Sequence, residues 1–188
     1  KCLLDGHGIA VSYGRLREAC QTDVDGTSID TLEQVAVQLG LQAEQVMLPA
    51  DHLLLPNSAS LPALVVVKLA DGMTHFVVVW RIHGRWVQIM DPTTGRRWLR
   101  REQFLADLYK HQQAVPAEDW YDWACSEDFI APLRQRISLL EIDSIAIERL
   151  LQQVLEQSSW QALAALDAAT RMTAAIVRAD DLLAGEQA

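Results

Sequence analysis

The chain has 188 residues, half of them apolar and 22% charged, the balance of a soluble globular protein with one sizeable core, or one ordinary domain and an appendage. Its net charge of −9 argues against nucleic acid or an anionic membrane surface as a partner, and the charge is uneven: residues 1–112 carry −1, residues 113–188 carry −8. Three cysteines, an odd number without CxxC spacing, give neither a disulfide framework nor a zinc site and fit a reducing, cytoplasmic setting.

Lys1 to Asp5 reads as the last turn of a helix, with Gly6 or Gly8 as terminator and Ile9 to Val11 leading away. A domain rarely starts on a last helical turn, so the natural chain is expected to extend further upstream. Ser12 is placed to cap a short helix through Arg17 to Cys20. Gly26-Thr27-Ser28 opens a clearer one, in which Ile29, Leu32, Val35, Ala36 and Leu39 share a face and Gly40 closes the end. From Leu41 the period changes. Ala43 to Leu48 is expected as a strand, Pro49 to Pro56 as a turn with room for one helical turn, Pro62 to Leu69 as a buried strand, and Asp71-Gly72 as the next turn.

Met73 to Gly95 carries two runs rich in valine, isoleucine and tryptophan around His83-Gly84, which predicts a β-hairpin. A three-residue loop Ile82-His83-Gly84 pairs Arg81 with Arg85, Val79 with Val87, Val77 with Ile89 and His75 with Asp91. A two-residue loop sends His75 and Asp91 to opposite faces. A histidine beside an aspartate is half of a nucleophilic triad: the carboxylate fixes the tautomer, and the imidazole activates a Ser or Cys. After the Thr93 to Gly95 turn, a short strand at Arg97 to Leu99 and a helix from Arg101 to Lys110 follow, with Phe104, Leu105 and Leu108 inward.

The second half differs in kind. Glu118 to Trp123 is acidic and aromatic; its Trp120, Tyr121 and Trp123 invite a binding reading, but the favoured expectation is that they pack this connecting segment against the sheet. Phe129 to Leu140 reads as a helix with Pro132 in its first turn. Asp143 or Ser144 caps a helix to Gln157 with Ile145, Leu150, Leu151, Val154 and Leu155 as its stripe, and Ser158 or Ser159 begins another from Trp160 to about Leu183. A helical hairpin packed on the first domain is the expectation. No signal peptide is expected, because the apolar run after Lys1 is short and gives way to Asp5, Gly6 and His7, and no membrane span, because Asp167, Arg171 and Arg178 break the longest alanine-rich stretch.

The ordered set Gly8, Leu16-Arg17, Gly26-Thr27-Ser28, Leu39-Gly40-Leu41, Leu61-Pro62-Ala63, His75-Phe76-Val77-Val78, Asp91-Pro92, Gly95 and Phe104 resembles the papain-like double-glycine peptidase domain at the front of bacterial exporters of bacteriocins and related peptides. The resemblance covers roughly residues 1–110. It implies an α+β papain-like fold, helices followed by an antiparallel sheet, over residues 1–112, with residues 113–188 as an acidic all-helical extension. It implies His75 as general base and Asp91 as the residue that orients it. The family's nucleophilic cysteine, by count from Gly8, falls about six residues before Lys1, together with an oxyanion-hole glutamine, and Cys2 matches an apolar helix position instead.

The function implied is cysteine-peptidase cleavage of a double-glycine leader from a ribosomally made peptide, coupled to export. The partners implied are that leader-bearing peptide and the membrane and ATPase domains of an ABC exporter; no cofactor or metal is expected. Two other readings stay open: a degenerate domain that binds leader or a secretion partner without cutting, and an interaction appendage in the acidic half. His7, His52, His83 and His111 read as surface or turn residues, and Cys20 and Cys125 as ordinary thiols. The run Arg96, Arg97, Arg100, Arg101 reads equally as a receiver of an acidic leader or a solvated face.

Overall fold

The computed structural model describes residues 1–21, 26–56, 60–69, 71–179 and 181–185. The chain divides into two compact units, one of residues 1–54 and 59–110 and the other of residues 55–58 and 111–188.

The first unit begins with three short helices, α1 (Cys2–Gly6), α2 (Tyr13–Ala19) and α3 (Ile29–Gln38). Two serines start the latter pair: Ser12 accepts the Arg15 N–H at 3.3 Å, and Ser28 accepts that of Thr31 at 3.1 Å. These bonds satisfy donors that a first helical turn otherwise leaves unpaired. Leu4, Leu16 and Val35 form a small core between the three helices. Ile29, assigned by its spacing to the inner face, is exposed at the first helical position, while Val35 one and a half turns later is buried.

Ala43 to Leu48 does not form the expected strand. Val46 and Met47 are exposed, and no described segment pairs with them, so apolar content there lacks the neighbour that a strand requires. A 3-10 turn at His52–Leu54 follows, in which His52 is buried rather than at the surface.

Four strands, β1 (Ala63–Lys68), β2 (Thr74–His83), β3 (Trp86–Asp91) and β4 (Gly95–Arg100), lie side by side in sequence order, every pair antiparallel. Helix α4 (Arg101–Asp107) then buries Phe104 completely against Val77, Val79, Val87 and Ile89, with Leu53 and Leu54 in the same core. Leu108 ends that helix and bridges to Val67 on β1.

The hairpin register is not the one expected. The loop is two residues, Gly84-Arg85, with Gly84 at φ +54°, and His83 pairs with Trp86, Ile82 with Val87 and Arg81 with Gln88. A β-bulge between Val79 and Arg81 then inserts Trp80, beyond which Val79 pairs with Ile89 and Val78 with Met90. The like-charge pair of Arg81 and Arg85 therefore does not form; Arg81 Nε donates to Gln88 Oε1 at 2.9 Å. The bulge has the further effect of returning Val77 and Val79 to the face of Val87 and Ile89, since one added residue reverses the alternation of side chains.

The second unit holds α5 (Ala117–Ala124), α6 (Glu127–Ser138), α7 (Ser144–Glu156) and α8 (Trp160–Arg178), two more helices than a hairpin. Glu118 to Trp123 lies within α5, and Trp120 and Trp123 pack edge-on against Phe129 of α6. Pro132 sits beyond the first turn of α6. Asp143 caps α7 by accepting the N–H groups of Ile145 and Ala146, which leaves Ile145 exposed; Ile147, Leu151 and Val154 are the buried stripe. Helix α8 stops at Arg178, short of Leu183. Among the described residues no helix is long and apolar enough to cross a membrane.

Candidate active site

His75 is the second residue of β2, and Asp91 is the last of β3. Because Val79 pairs with Ile89, His75 is not directly opposite Asp91 but lies diagonally from it on the same face. His75 Nε2 is 3.5 Å from Asp91 Oδ1. That separation exceeds a formed hydrogen bond. Nε2 is buried and makes no hydrogen bond, so the carboxylate is the polar group it faces.

Asp91 is held from three sides. Its Oδ1 accepts the backbone N–H groups of Thr93 at 2.8 Å and Thr94 at 3.3 Å, and its Oδ2 accepts Arg97 Nη2 at 2.9 Å. The backbone bonds follow from local sequence, since aspartate before Pro-Thr-Thr-Gly closes a turn onto its own carboxylate. Only 3% of Asp91 is exposed. Burial favours the neutral acid, but the Thr93 and Thr94 N–H groups, the Thr94 hydroxyl and His75 outweigh it and hold the carboxyl below its ordinary range. The group is thus an anchored anion at neutral pH.

Sequence reasoning missed Arg97 as the partner of Asp91. The signal was present in the turn: Asp91 pairs with Gly95, so the residue two beyond Gly95 returns to the aspartate's face. The three cysteines are free, with Cys2 on α1, Cys20 half-buried after α2 and Cys125 exposed in the second unit. Helix α1 is tied to the sheet at Trp80, whose ring meets that of His7 at a tilt with centroids 5.7 Å apart and lies so close to Gly6 that a Cβ there would strike it. Between α2 and α3 runs a groove of about 400 Å³ lined by Val11, Leu16, Val35 and Leu39.

Short helices followed by an antiparallel sheet are the α+β layout of a papain-like domain. The chain belongs to the peptidase C39 family, whose family model matches residues 1–111. It is 29% identical over 94 residues, half of this chain and 13% of the relative, to the lactococcin-G-processing and transport ATP-binding protein LagD of Lactococcus lactis subsp. lactis. It is 33% identical over 81 residues, 43% of this chain and 34% of the relative, to the "Probable functional amyloid protease FapD" of Pseudomonas fluorescens. The matched segment is thus a minor part of either relative's length.

Proposed function

We propose that the first unit is a cysteine peptidase domain that removes an N-terminal leader, after a double-glycine motif, from a ribosomally made bacteriocin-like peptide in association with an ABC exporter at the cytoplasmic side. The observation that carries this reading is His75 set against a buried, anchored Asp91 in a C39-family chain. One relative's name joins processing to transport, and the other is named a protease.

In this reading the thiol belongs to a cysteine preceding Lys1. With Nε2 turned to Asp91, His75 Nδ1 takes the thiol proton, and the thiolate attacks the carbonyl carbon of the second glycine. The imidazolium returns its proton to the leaving amine as the C–N bond breaks. Water, deprotonated by the same imidazole, then attacks the thioester carbonyl; the C–S bond breaks, the imidazolium returns its proton to the sulfur, and the leader leaves as its carboxylate. Glycines at the cut suit a cleft too narrow for side chains, and the apolar face of a helical leader suits the α2–α3 groove.

The test is cleavage of a Gly-Gly-containing precursor by the protein expressed from its native start, followed by mass spectrometry. His75→Ala should lower the rate by about 10²- to 10⁴-fold with leader affinity unchanged. If the unsubstituted protein binds the leader and releases it uncut, the domain is a recognition module, and His75 and Asp91 are structural.

A further inference from the structure

Residues 81–101 hold six arginines and one acidic side chain, Asp91. Arg97 is committed to that carboxylate. Among the described residues Arg81, Arg85, Arg96, Arg100 and Arg101 have no carboxylate partner.

Strand pairing sorts them. Arg81, Gln88 and Trp98 form one row across β2, β3 and β4, and His83, Trp86 and Arg100 form the next. Arg96, opposite Met90, continues the same face. With strands roughly 4.8 Å apart, the patch is about 10 Å wide. It lies on the side of the sheet away from Val87, Ile89 and Asp91, because successive side chains alternate. The Arg81 guanidinium lies over the Trp98 ring at 5.7 Å and that of Arg100 over Trp86 at 5.8 Å. Gln88, 3% exposed, accepts Arg81 Nε, while both indoles remain 41% exposed. Indole stacking and a buried amide thus fix two guanidinium groups without neutralising them, so little ordering cost remains for a ligand.

The backbone adds a second feature. β4 is the outermost strand of the sheet. The Arg101 N–H bonds the Arg85 carbonyl at 3.0 Å, which makes that a hydrogen-bonded pair. By alternation the peptide groups of Arg96, Trp98 and Arg100 turn away from β3 toward the open edge. The residues whose side chains build the patch therefore also offer donors and acceptors along it. Charged residues on an edge guard against sheet-to-sheet pairing. That role alone requires neither stacked indoles nor a buried glutamine.

We propose that this arginine–tryptophan face and the β4 edge dock an acidic, partly apolar segment of the peptide substrate as an added strand, away from the pair that acts on the scissile bond. The occupant's identity as substrate rests on the peptidase reading above. Charge and the exposed indoles favour an acidic, partly apolar peptide over a polyanion: five guanidinium groups lack a carboxylate partner among the described residues, and Trp86 and Trp98 offer apolar surface between them.

The experiment is fluorescence anisotropy on the full chain, with a labelled synthetic peptide of repeated Glu-Leu-Glu-Phe and its Gln counterpart. The acidic probe should bind with salt-sensitive affinity and the Gln probe far more weakly. Arg96→Gln with Arg100→Gln, both at exposed positions, should weaken the acidic probe about tenfold at an unchanged melting temperature. Methylating alternate backbone nitrogens of the probe should weaken it as well. Equal binding of the Gln probe, an undiminished affinity of the double arginine variant, no effect of methylation, or tighter binding of phosphatidylserine vesicles or oligothymidylate would each overturn the proposal. His75→Ala should bind the probe like the unsubstituted chain. The peptidase reading fails on cleavage and this one on probe binding, so either can fall alone.

Discussion

At Asp91 the opposing effects of burial and hydrogen bonding decide both chemistry and stability. Two backbone N–H groups and Arg97 surround a carboxylate that is almost wholly inaccessible to water. A carboxyl whose folded pKa lies below its unfolded value contributes stability above the unfolded value, and that contribution disappears as pH falls through the folded one. The stability gap between the native protein and Asp91→Asn should therefore be full at neutral pH and close as pH drops below about 4, in urea titrations across that range. A constant gap would mean that Asp91 is not held ionised by these partners. The aspartate was legible in the sequence because histidine and aspartate flank one hairpin. Arg97 was not, because four arginines in six residues look alike until the register assigns each to a face.

Among the elements, the caps expected at Ser12 and at Asp143 or Ser144 form, Ser159 makes no side-chain bond to its first turn, and periodicity was the weaker guide. Ser12, Ser28 and Asp143 all accept first-turn N–H groups, since a short polar side chain before an apolar period has one local use. Asp143→Ala should cost about 1 kcal/mol in the helical unit, measurable as a lower denaturation midpoint. The stripe of α7 was misplaced at its start because Ile145 and Ile147 both fit the pattern until the neighbouring helices select one. Helix α5 was missed because tryptophans and acids have middling helix propensity, and it is the contact with Phe129 that selects the helix. The strand at Ala43 to Leu48 failed for the complementary reason, that its apolar residues found no partner.

Across the whole molecule the two units have separate apolar cores, one around Phe104 and one around Leu133 and Leu163. At the edge of the helical one lies the half-buried Asp167, shared by the buried Arg136 and by Arg171. Removing one partner of a buried ion pair is costly, so Asp167→Ala should destabilise that unit by about 3 kcal/mol. Hydrogen exchange should then speed at Leu133 and Leu163 and not at Val77 or Val79; equal acceleration in both would show that they unfold as one. In the sheet unit the residue inserted at Trp80 governs which insertions and deletions the hairpin can absorb. Between His75 and Asp91, two residues can be gained or lost together with the site intact. A single one exiles the histidine to the far side of the sheet unless the bulge goes with it. In any relative that keeps both residues, loop length and bulge count must change as a set, so an odd gap between them in an alignment marks a compensating irregularity in the strand or a site that no longer assembles.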